Sequence, residues 1–257
     1  MKSGAGTMRL TNNLNSYSGR TYINQGVLQI NSTNVLGINS PTYVNNQVII
    51  DGGTLQYSGP NALWWTNRGI QIGNNGDNDS GTITVDNTLT NRTPIVGGGT
   101  DNRLIKAGGG TLRLETTNYF TGGVTINGGT LAYVGTNVQN TVNAFGTVIG
   151  DAALGAVPMM FDADNIVINN GTLQLINNAN NNTEINALRG IQLGAAGNAN
   201  PGTIDVNNGT NIYNGVIVNG GTGNQFRKSG GGELRFGQHQ HLQRWHPHHG
   251  RHAHSQR

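Results

Sequence analysis

The residues able to do chemistry fall into a few groups, and their spacing limits each one. All seven His lie between His239 and His254. His246, His248, His249, His252 and His254 have the ring nitrogens to ligate zinc, copper or nickel. Residues 1–236 contain no His, which excludes a Ser-His-Asp site there, and the chain has no Cys for thiolate chemistry. Paired carboxylates, the equipment of a glycosidase or a calcium-dependent lyase, occur as Asp77/Asp79 and Asp162/Asp164. The positions that match Asp162/Asp164 by internal repetition are Val44 and Asn46, and residues 196–200, which match Asp77/Asp79, hold no acid. Both pairs are therefore read as solvated corners. Trp64-Trp65 has no internal counterpart. Neighbouring strand residues face opposite sides, so one ring packs inward while the other is free to stack on a sugar or anchor a partner. Trp64 and Trp65 are the candidate ligand-binding residues; no catalytic, cofactor or metal site is expected.

Gly97-Gly98-Gly99-Thr100-Asp101 lacks the glycine that a calcium nonapeptide needs at its fourth place, and no tandem series follows. Gly108–Gly110 and Gly230–Gly232 are not followed by Gly-Lys-Ser/Thr, so they are backbone corners and not phosphate loops. Net charge does not point to nucleic acid. Its formal value is +3, yet residues 1–236 hold 12 basic and 12 acidic residues. Only 11% of the chain is charged, and Gly, Asn and Thr number 41, 39 and 27 of 257 residues. These three are poor helix formers.

The elements that must position these residues are short alternating segments. Val48-Ile-Ile-Asp-Gly-Gly-Thr-Leu-Gln-Tyr57, Val124-Thr-Ile-Asn-Gly-Gly-Thr-Leu-Ala-Tyr133 and Ile166-Val-Ile-Asn-Asn-Gly-Thr-Leu-Gln-Leu175 each place apolar residues at every second position around an Asn/Gly break. Asn-Gly between strands also fits hairpins in a sandwich or barrel. Repetition favours a solenoid. Lys2-Ser-Gly-Ala-Gly-Thr-Met-Arg-Leu10 recurs at Lys106 and at Lys228, and Arg68-Gly-Ile-Gln-Ile-Gly73 recurs at Arg189. Units are thus expected at roughly 1–105 and 106–227, with a third starting at 228. Arg9, Arg113 and Arg235 sit at equivalent places and read as an outward row.

Lys106-Ala-Gly-Gly-Gly-Thr-Leu-Arg-Leu114, followed by Asn118-Tyr-Phe-Thr-Gly-Gly-Val-Thr-Ile-Asn-Gly-Gly-Thr-Leu131, resembles the autotransporter-associated β-strand repeat, also called the passenger-associated transport repeat. Residues 2–30 resemble it with departures at Arg20 and Gln25, where the family prefers Gly. The resemblance implies an all-β, right-handed parallel β-helix of the pectin-lyase-like kind, in an extracellular passenger of a type V secretion system. It also implies an outer-membrane translocator barrel as partner in the full-length protein. The expected role is a non-enzymatic surface scaffold or an adhesin for a glycan or cell-surface ligand. A β-helical polysaccharide lyase or hydrolase is the alternative.

The N-terminus carries no secretory signal, and Met1 reads as a start inside a repeat of a longer frame. Residues 237–257 share no composition with the rest and are expected to form an unstructured tail. A choice of synonymous codons for this segment, read one nucleotide out of phase, can spell Tyr-Ser-Gly-Gly-Thr-x-Ile-Thr-Gly-Gly-Thr-Leu. That is where the repeat begun at Lys228 should continue. The tail is therefore expected to be out-of-frame translation and not a metal-binding tract.

Overall fold

The computed structural model describes residues 1–74, 76–135, 150–177, 183–195 and 200–237. The chain winds repeatedly past three faces. The first carries a nine-stranded sheet: β1 (Thr7–Leu10), β3 (Val27–Ile30), β5 (Thr54–Tyr57), β8 (Gly81–Val85), β11 (Leu104–Ala107), β13 (Val124–Ile126), β15 (Asp162–Ile168), β18 (Arg189–Leu193) and β21 (Ile217–Asn219). The second carries seven: β6 (Ala62–Leu63), β9 (Thr88–Asn91), β12 (Thr111–Leu114), β14 (Thr130–Gly135), β16 (Gly171–Asn177), β19 (Gly202–Val206) and β22 (Phe226–Ser229). The third position in the coil is taken by β2 (Thr21–Ile23), β4 (Val44–Ile50), β7 (Arg68–Ile72) and β10 (Ile95–Gly97), then by β17 (Thr183–Ile185), β20 (Thr210–Tyr213) and β23 (Glu233–Phe236). Each of these strands pairs in parallel with its equivalent one coil away. The molecule is a parallel β-helix, not a sandwich, because no hairpin pairing joins consecutive strands among the described residues.

Stacking turns the alternating pattern into columns. Leu28, Leu55, Ile83, Lys106, Ile126, Ile168 and Leu193 follow one another through successive registers of the first sheet. Leu89, Leu112, Leu131, Leu173, Ile204 and Lys228 do the same in the second. Inward residues of every coil thereby fill one continuous core. Period 2 leaves the intervening Thr and Gln on the outside.

The sequence repeat and the coil are out of step. β1 lies in the first sheet, its sequence equivalent β12 in the second, and β23 on the third face. The same advance carries β4 of the third face to β15 of the first sheet. One long unit therefore spans four coils and one further face, and equivalent residues of successive units point about a third of a turn apart.

Two buried tyrosines show what the core demands of a hydroxyl. Tyr213 donates to the Arg189 carbonyl at 2.7 Å. Tyr133 is fully buried, and its hydroxyl has no hydrogen-bond partner among the described residues. Burial, with Asp151 nearby, holds that phenol well above its ordinary range. An unmade buried hydrogen bond costs more than the absent group. Tyr133→Phe is expected to leave stability unchanged within about 0.5 kcal/mol or to raise it, whereas Tyr213→Phe is expected to cost about 1–2 kcal/mol. Urea denaturation of both variants checks the pair, and equal losses would contradict it.

Candidate functional site

The two tryptophans directly precede the turn into β7. Trp64 is buried in the core and donates through Nε1 to the Arg68 carbonyl at 2.6 Å. Its ring is therefore not at the surface. Trp65 is 41% exposed, and its Nε1 donates to Asn34 Oδ1 at 2.7 Å, which fixes the ring. Asn13, Asn15, Asn34, Asn39, Trp65 and Arg68 line a groove there.

Arg68, beneath this groove, is fully buried. It donates to the Thr33 carbonyl at 2.6 Å, the Gly37 carbonyl at 2.9 Å and, at longer range, Gln47 Oε1 at 3.4 Å. All three acceptors are neutral, and burial lowers its pKa. Its repeat equivalent Arg189 is buried to the same degree but pairs with Asp151 at 2.8 Å. Arg189 also donates to Asn165 Oδ1 and to the carbonyls of Leu154, Gly155 and Ala156. In the first unit Thr33 stands at the place of Asp151, and Gln47 at that of Asn165. Both arginines pair across a bulge, between Val44 and Val48 in β4 and between Asp162 and Ile166 in β15. The bulged backbone presses on the next residue. A Cβ at Gly69 or Gly190 would overlap Asn45 or Ala163 respectively. Arg-Gly is thus one device: the arginine enters the core and the glycine lets the bulge close over it.

A second constellation lies at the corners leading into β5 and β8. One carboxylate oxygen each from Asp51, Asp77 and Asp79 falls within 4.8 Å of the others. Asp77 Oδ1 accepts from the backbone of Asn74 and Asp79, while the buried Asn102 amide donates to the carbonyls of Asp77 and Asp79. Burial, then the charges of Asp77 and Asp79, raises the pKa of Asp51. These oxygens suit a hard cation, but three fall short of the six to eight that calcium takes. Sequence spacing does not mark Asp51, because it is a single acid in an Asp-Gly-Gly turn and joins the pair only through coil stacking. Asp162 accepts from Asn165 at 3.0 Å, and Asp164 lies 3.6 Å from Arg103, so each has a structural contact of its own. The His-rich tail lies outside the described residues apart from Gly237.

The repeated lysines have a shared task. Lys106 stands in an aliphatic column, fully buried, and its Nζ donates to the carbonyls of Ala107, Gly108 and Gly128 at 2.7, 2.9 and 3.2 Å. Lys2 caps Ser3, Gly4 and Gln25 in the same way, and Lys228 caps Gly230 and Gly232. In Lys2 and Lys106 the methylene stem is buried while the head closes the glycine corner, whereas Lys228, in the last coil, makes the same contacts from an exposed position. Burial lowers the Lys106 pKa from 10.5 to about 8, against an opposing pull from Asp86. Below pH 8 the ammonium is charged in both folded and unfolded chains, and folding bears its desolvation. Between pH 8 and 10.5 only the unfolded chain keeps the proton, so stability rises with pH. The gain is at most about 3.5 kcal/mol, because a one-proton difference between the two states contributes roughly 1.4 kcal/mol for every pH unit it spans. The pH slope of the urea midpoint from 8 to 10, wild type minus Lys106→Met, is expected to be positive; a flat difference refutes it.

A family model described as Passenger-associated-transport-repeat matches residues 2–30 and 104–132. Comparison with curated proteins and with solved structures finds no match. The two matched stretches each start at a corner-capping lysine strand and run through the next coil, on faces a third of a turn apart. Residues 2–30 and 104–132 are thus each similar to the passenger-associated-transport repeat, and together they make up less than a quarter of the chain.

Proposed function

We propose that this chain is a segment of an extracellular autotransporter passenger that serves as a stiff, non-enzymatic scaffold at the cell surface. The observation that carries the reading is the uninterrupted core column, which passes through both matched repeats and joins the coils into one stack. Coils spaced about 4.8 Å apart and tied to nearest neighbours give a rod that can fold progressively as it emerges. A translocator barrel in the full-length protein would deliver it. The lyase or hydrolase alternative gains little, since Asp162 and Asp164 are engaged structurally.

A second reading, adhesion to a glycan, rests on Trp65. Its ring is exposed, held by Asn34 and rimmed by asparagine amides that match sugar hydroxyls. Surface display is tested on intact cells making the full-length protein, with an epitope tag inserted between the exposed Met159 and Met160. External protease is expected to remove the tag from unbroken cells. Protection until the outer membrane is permeabilised overturns the proposal.

A further inference from the structure

We propose that the Trp65 groove selects a carboxylate-bearing sugar, because the buried Arg68 beneath it has no counter-ion among the described residues. This deepens the adhesion reading and rests on it. The comparison that carries it is internal. The same buried arginine in the second unit is neutralised by Asp151, whose side chain is fully buried against it. In the first unit Thr33 supplies only a backbone carbonyl, and no carboxylate lies within ion-pair distance of Arg68 among the described residues. An uncompensated guanidinium in a low-dielectric interior projects its field outward, and Arg68 itself borders the groove.

The surroundings carry the same sign. Asn15 of the groove also lines the adjoining cleft, which holds Lys2 and Arg20. The ligand chemistry follows from the parts. The fixed indole offers a flat apolar face for a sugar ring, the asparagine amides meet hydroxyls, and the positive field favours a carboxylate over a neutral substituent. Because Trp65 is already pinned by Asn34, little ordering is needed on binding.

The test uses the whole chain and isothermal titration with two probes, oligogalacturonate and the same oligomer as its methyl ester. Wild type is expected to bind the acid roughly tenfold more tightly than the ester, with the gap narrowing as salt rises. Thr33→Asp gives Arg68 the counter-ion that Arg189 has. It is expected to abolish the preference while leaving ester binding and the circular dichroism spectrum unchanged. Trp65→Ala is expected to weaken both probes. Equal binding of acid and ester by wild type, or an undiminished preference in Thr33→Asp, overturns this inference and leaves the adhesion reading standing. Failure of both probes to bind, or indifference of both to Trp65→Ala, overturns the two together.

Discussion

Arg189→Met is expected to destabilise the C-terminal coils by about 3–5 kcal/mol, the cost of leaving one member of a buried ion pair alone. Asp151 and Arg189 both have fully buried side chains. Asp151 Oδ2 also accepts from the Asn186 backbone at 3.0 Å, so its charge cannot move to water without breaking the turn into β18. Methionine fills much of the arginine stem but gives nothing to the carboxylate. It also releases the carbonyls of Leu154, Gly155 and Ala156. Adding Asp151→Asn to Arg189→Met removes the stranded charge while keeping an acceptor for Asn186. The double variant is expected to recover at least about 1 kcal/mol of the loss. Asp151→Asn alone is expected to cost less than Arg189→Met, because Arg68 already lives among neutral acceptors. Urea denaturation read by amide exchange in β18 and β20 gives all three values. A double variant no more stable than Arg189→Met alone would show that lost packing, not the stranded charge, dominates.

The contrast between Arg68 and Arg189 also shows where sequence patterning stops. Alternation in Val124-Thr-Ile and Gly81-Thr-Ile-Thr-Val85 identifies the strands and their inward residues, because period 2 is a local property. It also assigns opposite sides to Trp64 and Trp65, and the structure buries the first and exposes the second. Repetition makes the solenoid legible through Lys2, Lys106 and Lys228. It does not reveal that these lysines occupy three different faces. That depends on how many faces the chain passes between them, which is set by connections of unequal length. Nor does patterning mark Arg68 and Arg189 as core residues. An arginine beside a glycine reads as solvated, and its burial depends on a bulge in a strand one coil away. Asp51 meets Asp77 and Asp79 for the same kind of reason. The site residues that sequence leaves unseen are those joined by stacking, not by spacing.

Glycines that look alike in sequence separate sharply under this physics. Gly123→Ala is expected to cost about 3 kcal/mol or more, and Gly109→Ala about 0.5 kcal/mol or less. Gly123 has φ +74°, a conformation that an L side chain resists, and a Cβ there would overlap the Asn165 carbonyl oxygen. Asn165 in turn accepts from Arg189 through its Oδ1 at 2.8 Å. Displacing its backbone therefore strains the buried ion-pair shell as well as the corner. Gly109 sits in the middle of the Gly108–Gly110 corner, has no positive φ, and would place a Cβ in open space with nothing within 4 Å. Alanine there removes freedom from the unfolded chain without touching the folded one. Both variants remain apolar and uncharged, so the comparison isolates backbone geometry. Thermal and urea midpoints of the two are the measurement. A Gly109→Ala loss as large as that of Gly123→Ala would mean that the corner glycines serve flexibility in general, and that close coil-to-coil approach is not what selects them.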